Sequence, residues 1–438
     1  MEQMKGKKSK NNKMKKTISI FIALSAMCVA HSFAQPYVHQ VVFLNEGYYD
    51  YTNQVQVVPV TLGAYSPVTQ MYTVVDTIPN ARFGSDIIID GQSIYVCADS
   101  FLVKYDKDTY QQTGIRVVQG LRKLAVWNNH LLVSRGDVMP FGSYLQVYDK
   151  NSLSFIYELD TVTGPKYSAE GITIYNDSAY LAVNNAFSWG NEKGLLGIID
   201  LSNQTYVAET DLGPDGKNPD NIMRDGNMIY TLNNKDFSSS SVSTYNANTR
   251  SINTVNTAIS SGCSSSALAL NFVYYQEYAL STLARFDVTT QTIYDTLNGT
   301  LAFYGLLDDT INSVLYATTT DYVSTGDAYI MQYNGTMLDS FSVGVSPGNM
   351  TLDVRVSTGL SQISNLKPQI SVYPNPVVSE LNIQLSEKGN NAFTIYNSMG
   401  SVVYNATVSG AVKIPVSELP RGIYYLKTGS ASCKFIKQ

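Results

Sequence analysis

ITIYNDSAYLAVNNAFSWGNEKGLLGIIDLSNQTYVAETD, residues 172–211, decides the fold. Apolar residues at 172–175 and 179–183 flank Asn176-Asp177, a pair that favours a tight turn. A second pair of apolar runs, 195–199 and 205–210, flanks Asp200 and the turn-formers Ser202 and Asn203. Each run is too short for a helix and is rich in Ile, Val and Tyr, which fit a pleated sheet. The stretch therefore reads as four short strands.

The same phrases recur on either side. A hydrophobic residue followed by Asp or Asn and a polar turn appears at Tyr105-Asp106, Tyr148-Asp149, Ile199-Asp200, Tyr245-Asn246, Phe286-Asp287 and Tyr333-Asn334, with spacings of 43, 51, 46, 41 and 47 residues. Asp and Asn suit that place because their side chains accept backbone N–H groups of their own turn. The strand–turn–strand phrase before it recurs as IIIDGQSIYV (87–96) and IMRDGNMIYTL (222–232). Four strands at this period, with expected period-two alternation, match a β-propeller blade and exclude helical repeats. Six copies lie between Phe83 and Gly344. HQVVFLNEG (39–47), NQVQVVPVTL (53–62) and MYTVVDTI (71–78) supply three more strands, and PGNMTLDVRV (347–356) supplies one inner strand with nothing after it. Joining them gives an all-β, seven-bladed ring over 35–356 with few exposed sheet edges.

Residues 40–356, opening on Leu44-Asn45-Glu46-Gly47, resemble the secreted YVTN-type propellers related to surface-layer proteins. That resemblance implies the fold and an extracytoplasmic setting, and no activity. Beyond a linker at 357–368, four ordered phrases follow: YPNPVVSELNI (373–383), FTIYNSMGSVVY (393–404), VSELPRGIYYLK (416–427) and KFIKQ (434–438). Pro374, Asn375 and Pro376 favour an extended, turn-prone start, and Gly400 and Gly422 sit in hairpins. In this order they resemble the type A C-terminal sorting domain of the bacterial type IX secretion system, an immunoglobulin-like β-sandwich over 369–438. The resemblance implies recognition by the type IX translocon and sortase, and removal of the tail as the cargo is attached or released.

The amino terminus agrees with export. Seven lysines within residues 1–16, an apolar run from Thr17 to Ala30 and the small-residue site Ser32-Phe33-Ala34 read as a signal peptide cleaved after Ala34. Met27 before Cys28 argues against a lipoprotein anchor, and no other stretch has the length of a membrane span. Residues 1–34 hold seven of the 30 basic and one of the 35 acidic residues, so the remainder carries a net charge of −11. Such a body repels phosphate backbones, which excludes nucleic acid as a partner. Cys97, Cys263 and Cys433 are odd in number and irregular in spacing, as expected of buried thiols rather than a disulfide framework.

Motifs for nucleophilic, zinc or nucleotide chemistry are missing from the sequence, and His39 and His130 are the only histidines after residue 34. His130 is expected in a solvated turn. Aligned repeats place Asp86, Arg122, Lys123, Glu170, Asp220, Asn221, Ser265 and Asn349 at the starts of inner strands, around the mouth of the central channel. Loops between second and third strands carry aromatics to the same face: Tyr48, Tyr49 and Tyr51, Phe141, Phe187 and Trp189, Phe237, and Tyr322. A polar ring beside exposed aromatics suits stacking on a sugar or capture of a protein surface. The expected function is a secreted or surface binding protein for a glycan or protein ligand. The alternative is a lactonase-like hydrolase or lyase using a cation, calcium for example, held by Asp86, Glu170 and Asp220.

Overall fold

The structure, a computed structural model, describes residues 35–262, 265–297, 299–356, 370–385, 390–398, 400–409, 411–428 and 431–438. The expected signal peptide with Cys28, the linker 357–368, Cys263 and Met399 lie outside the described residues. Among the described residues no helix is long and apolar enough to cross a membrane.

Seven four-stranded antiparallel sheets form the propeller. Blades one to six span 84–117, 121–160, 169–211, 219–256, 266–297 and 306–345, each running from inner to outer strand in chain order. Blade three, which contains residues 172–211, consists of Ala169–Tyr175, Ser178–Val183, Leu195–Asp200 and Thr205–Asp211. Blade seven is split. Its inner strand, Asn349–Val356, comes from the far end of the propeller and pairs antiparallel with Pro36–Asn45, followed by Val60–Ser66 and Met71–Ile78. The run 53–62 is not one strand. Val55–Val58 pairs with Tyr48–Asp50 in a separate ribbon, and the blade resumes at Val60.

Asx turns join third to fourth strands as the repeats imply. Asp106, Asp149, Asp200, Asn246 and Asp287 each accept the N–H groups two and three residues ahead, and Asn334 accepts that of Thr336. The expected period-two alternation holds best in outer strands such as Gln112–Val117 and Thr205–Asp211. Second strands are buried almost throughout, as in His130–Arg135 and Ser178–Val183. A blade has a neighbour on each face, so both faces of its inner strands are covered and both need apolar side chains.

Each gap between neighbouring blades holds one apolar core. Leu196 and Ile198 meet Ile229 and Tyr245 between blades three and four, Leu283 and Leu297 meet Leu306 and Leu315 between five and six, and Val42 and Leu44 meet Ile87 and Val96 between seven and one. Val41, Phe43 and Tyr65 pack on Tyr316 and Val343 between six and seven, completing the circle. Cys97 is fully buried in the core between blades one and two, as expected for a small hydrophobe. A buried ion pair also crosses the closure: Lys107 Nζ of blade one lies 3.0 Å from the carboxylate of Asp353.

The tail is a β-sandwich. Ile370–Tyr373, Glu380–Leu385 and Ala411–Pro415 form one sheet, and Val402–Ser409, Asn390–Asn397, Gly422–Thr428 and Ala431–Lys437 form the other. Leu381, Ile383, Phe393, Ile395, Tyr424, Leu426 and Phe435 fill it. Asn375, between Pro374 and Pro376, latches the start of the tail to its last strand, donating to Lys434 O at 3.1 Å and accepting from Ile436 N at 2.9 Å. Gly400 takes φ +80° in the turn between Asn390–Asn397 and Val402–Ser409, whereas Gly422 is not in the expected hairpin: it begins a strand after a crossing from one sheet to the other.

Phe43 sits at the closure, fully buried, with Tyr72 and Phe341 edge-on at 5.7 and 5.9 Å. Phe43→Ala is expected to lower unfolding free energy by about 3–5 kcal/mol in denaturant titration. On the same sheet, Val356→Ala, whose side chain is exposed, is expected to stay within about 0.5 kcal/mol. Equal effects of the two would contradict the packing described.

Candidate functional site

In blades one to four the inner strand slips register against its neighbour at its first residues, between Gly84 and Asp86, Leu121 and Leu124, Ala169 and Ile172, and Pro219 and Asn221. Such bulges bend a strand and re-aim its side chains. Ser85, Arg122, Lys123, Glu170 and Asp220 from these four places line one cavity of about 360 Å³ at the channel mouth. Backbone bonds between the start of the inner strand and the residue after the second strand bring the loops over it: Gly136 N to Gly120 O at 2.9 Å, Asn184 N to Ser168 O at 3.0 Å and Asn234 N to Asn218 O at 2.9 Å. Phe187 and Phe237 thereby join Asn184, Asn218 and Asn234 in the wall.

Charges in the cavity are largely paired. Arg122 Nε donates to Glu170 Oε1 at 2.6 Å, its guanidinium lying 5.3 Å from the Phe187 ring. Glu170 is buried, and its Oε2 is without a hydrogen-bond partner. Burial pushes the Glu170 carboxyl above its ordinary range, Arg122 opposes the rise and Asp220 adds to it. Burial by itself would depress Arg122, but Glu170 outweighs it and the guanidinium is held above its usual value. Lys123 Nζ reaches across to Ser85 O at 2.6 Å and Asn349 Oδ1 at 2.9 Å. Together with Asp220, Asn221, Ser265, Gly348 and Asn349 it also borders a second cavity of about 300 Å³ deeper in the channel. Lys123 thus lies at the constriction between the two.

The aligned residues Arg122, Lys123, Glu170, Asp220, Asn221, Ser265 and Asn349 are all in the upper cavity. Asp86 is not. It borders the deeper cavity, where Oδ2 accepts Leu124 N at 2.7 Å and Oδ1 stands 3.7 Å from Lys123 Nζ, so it latches blade one to blade two. Asp220 accepts from Asn234 Nδ2 at 3.3 Å. The expected cation site of Asp86, Glu170 and Asp220 is therefore not formed: each acid has its own partner, and no group of three or more His, Cys, Asp or Glu that could hold a metal is found among the described residues.

The aromatic loops divide. Trp189 is 76% exposed at the lip, 5.7 Å from Phe237, and Tyr49 is half-buried in the ribbon against Tyr51 at 5.0 Å; neither lines the cavity. Phe141 packs down its own loop, beneath Arg135 at 4.2 Å. His130 is not in a solvated turn. It begins a strand, half-buried, with its ring stacked on Trp127 at 5.4 Å and edge-on to Tyr157, two aromatics that pack toward blade three.

Alignment of inner strands missed Glu46, Asn184, Asn218, Asn234 and Tyr304. The repeated Asn-Asn after second strands, 184–185 and 233–234, was the available signal for two of them. Glu46 belongs to the Leu44-Asn45-Glu46-Gly47 phrase, whose other members have structural work. Leu44 is core, Asn45 accepts Gly344 N at 3.1 Å and donates to Tyr72 Oη at 2.9 Å, and Gly47 has φ +76° with Val58 O only 2.4 Å from where a Cβ would stand. Glu46 Oε1 accepts the Tyr304 hydroxyl at 2.7 Å. Burial pushes its carboxyl up to about 7 against the opposing pull of Tyr304, Lys123 and Arg122.

Residues 371–438 match the family of secretion system C-terminal sorting domains. The tail thus marks a chain handled by the type IX secretion system and bound for secretion or the cell surface. No family model of the YVTN type matches the propeller, and no curated protein matches the chain. Solved structures share the architecture at low identity. The extracellular domain of a putative one component system from B. thetaiotaomicron is 13% identical at TM-score 0.55, over 91% of this chain and 57% of that one, so the chain spans little more than half of that relative. A hypothetical selenium-binding protein from Sulfolobus tokodaii is 10% identical at TM-score 0.56, over 74% of this chain and 94% of that one. A putative 6-phosphogluconolactonase from Bacteroides fragilis is 12% identical at TM-score 0.52, over 72% and 98%. These likenesses support the propeller fold alone.

Glu46 keeps its proton in the folded chain to about pH 7, whereas its ordinary value is 4.5. Its contribution to stability is complete below the lower value, declines as pH rises between the two, and is lost above the higher one. Thermal denaturation from about pH 5 to about pH 9 should therefore show Glu46→Gln gaining on the natural protein as pH rises. Parallel curves would contradict the burial of this carboxyl.

Proposed function

We propose that the protein is an exported, non-catalytic glycan-binding propeller whose ligand enters the cavity at the channel mouth. One observation carries the reading: a concave site of about 360 Å³ joins amides and carboxylates from several blades to the aromatic walls Phe187 and Phe237. The polar groups suit hydroxyl recognition, and the rings suit the apolar face of a sugar. A protein partner needs about 800 Å² of complementary surface on each side, and a concave polar cavity contributes little to such a contact. Both cations of the cavity are already engaged, Arg122 by Glu170 and Lys123 by Ser85 and Asn349, so a neutral sugar fits better than an anionic one. The tail supplies the route outward, with the signal peptide ending at Ala34 as its first step.

A hydrolytic reading has Glu46 in its favour, since a carboxyl that titrates near neutrality beside a tyrosine suits general acid–base work. On that reading Glu46→Gln abolishes turnover; on the binding reading there is no turnover to lose.

Calorimetry against neutral and anionic oligosaccharides tests the proposal. A neutral glycan is expected to bind, with Asp220→Asn and Phe187→Ala each weakening it about tenfold or more, as loss of a charged hydrogen bond or a stacking ring implies. Binding that ignores both substitutions, or hydrolysis of the glycan, would overturn it.

A further inference from the structure

Blades four and six each put an aromatic residue at the tip of a loop with its backbone in the left-handed region: Phe237 at φ +64° and Tyr322 at φ +67°. A bulky side chain there is strained by roughly 1–3 kcal/mol and persists only where its surroundings dictate it. The two loops use one device. Asp236 Oδ1 accepts Ser238 N at 3.1 Å, and Asp321 Oδ1 accepts Val323 N at 2.9 Å and Ser324 N at 2.7 Å, so an aspartate turn fixes the ring that follows it. Between them blade five contributes Tyr278, at the start of the one-turn 3-10 helix Tyr278–Leu280, its N–H bound to Ser260 O at 2.9 Å. Gly262 lies beneath that ring, where a Cβ would come within 3.2 Å of it.

Phe237, Tyr278 and Tyr322, with Ala258 and Ile259, wall a groove of about 550 Å³. It adjoins the mouth cavity at two points. Phe237 borders both, and the Tyr322 ring meets edge-on, at 5.4 Å, the Tyr304 ring that lines the cavity. Tyr278 is 58% exposed and Tyr322 48%, so two rings held in place stand open to solvent beside a polar cavity.

We propose that this groove is a second subsite for the same glycan, taking the sugar units that follow the one in the mouth cavity, so that the ligand is a linear oligosaccharide laid outward from the channel across Phe237 toward blades five and six. The inference rests on the glycan reading above. Continuity at Phe237 and the size of both spaces, within the range of about 300–1,000 Å³ typical of small-ligand sites, favour a chain of sugars over a protein surface. Rings fixed before binding add affinity because their ordering has no further entropic cost.

The test is calorimetric titration of the purified protein with one- to four-unit series of β-1,4-linked glucose, mannose and N-acetylglucosamine. At least one series is expected to bind, with affinity rising about tenfold or more from one unit to three, the gain typical of one or two added stacking contacts. Tyr278→Ala, at an exposed position that the fold does not need, should abolish that rise and leave the single-unit affinity unchanged, and Tyr322→Ala should reduce it. Affinity independent of length, or a rise that survives both substitutions, would overturn the second subsite while leaving the mouth cavity as the site. No binding by any series would overturn the glycan reading itself.

Discussion

The antiparallel pairing of Pro36–Asn45 with Asn349–Val356 is the contact on which the rest of the propeller depends. Without it the ring has two open sheet edges, and the cores on either side of blade seven lose one wall. Every other blade packs on both faces, which is why second strands bury residue after residue. The closure is reinforced twice at its ends. Lys107 pairs with the buried Asp353 on one side, and Asn45 binds Gly344 and Tyr72 on the other. Asp353 is shared between Lys107 of blade one and Arg355 of its own strand, so a mispaired strand would leave its buried carboxylate only half satisfied.

Closure also makes the site. Seven inner strands converge on the axis, where there is no room for seven bulky apolar ends, and blades one to four answer with bulges that turn polar side chains inward. The resulting cavity has its own internal order: Arg122 neutralises Glu170, Lys123 bridges Ser85 and Asn349 across the constriction, and Asp86 is used up between two blades. Glu170 Oε2 is left without a hydrogen-bond partner, and burial holds the Glu46 carboxyl well above its ordinary range. The loops above add rings rather than charges. That division of labour is the ground for proposing an uncharged, hydroxyl-rich ligand.

Much of this was legible in the chain. The Asp and Asn turns repeat because a hairpin of that shape needs a side-chain acceptor, and the split blade showed as three strands lacking an inner one at one end and an inner strand lacking followers at the other. The ordered tail motifs were equally clear, and Asn375 has a latch to explain its place between two prolines. What stayed hidden was of three kinds. Sandwiching between blades erased the period-two signal in second strands. The bulges pair Asp86 with Leu124 N and Lys123, Glu170 with Arg122 and Asp220 with Asn234, so acids aligned in sequence do not come together as one group among the described residues. Trp189 and Tyr49 lie in the expected loops yet outside the cavity, whereas Glu46 of blade seven and Tyr304 of the neighbouring blade six meet from positions 258 residues apart. Local pattern carries no information about such a meeting.

The central claim is that one face of the ring, the one carrying the mouth cavity and the aromatic loops, is the binding face. Hydrogen exchange of the purified protein with and without a mixture of neutral oligosaccharides tests it most directly. Slower exchange is expected at 184–191, 234–240, 278–281 and 319–324, with no change in the Asx hairpins at 106–111, 149–154 and 200–205 on the opposite face. Protection confined to those hairpins or to the outer strands would contradict it.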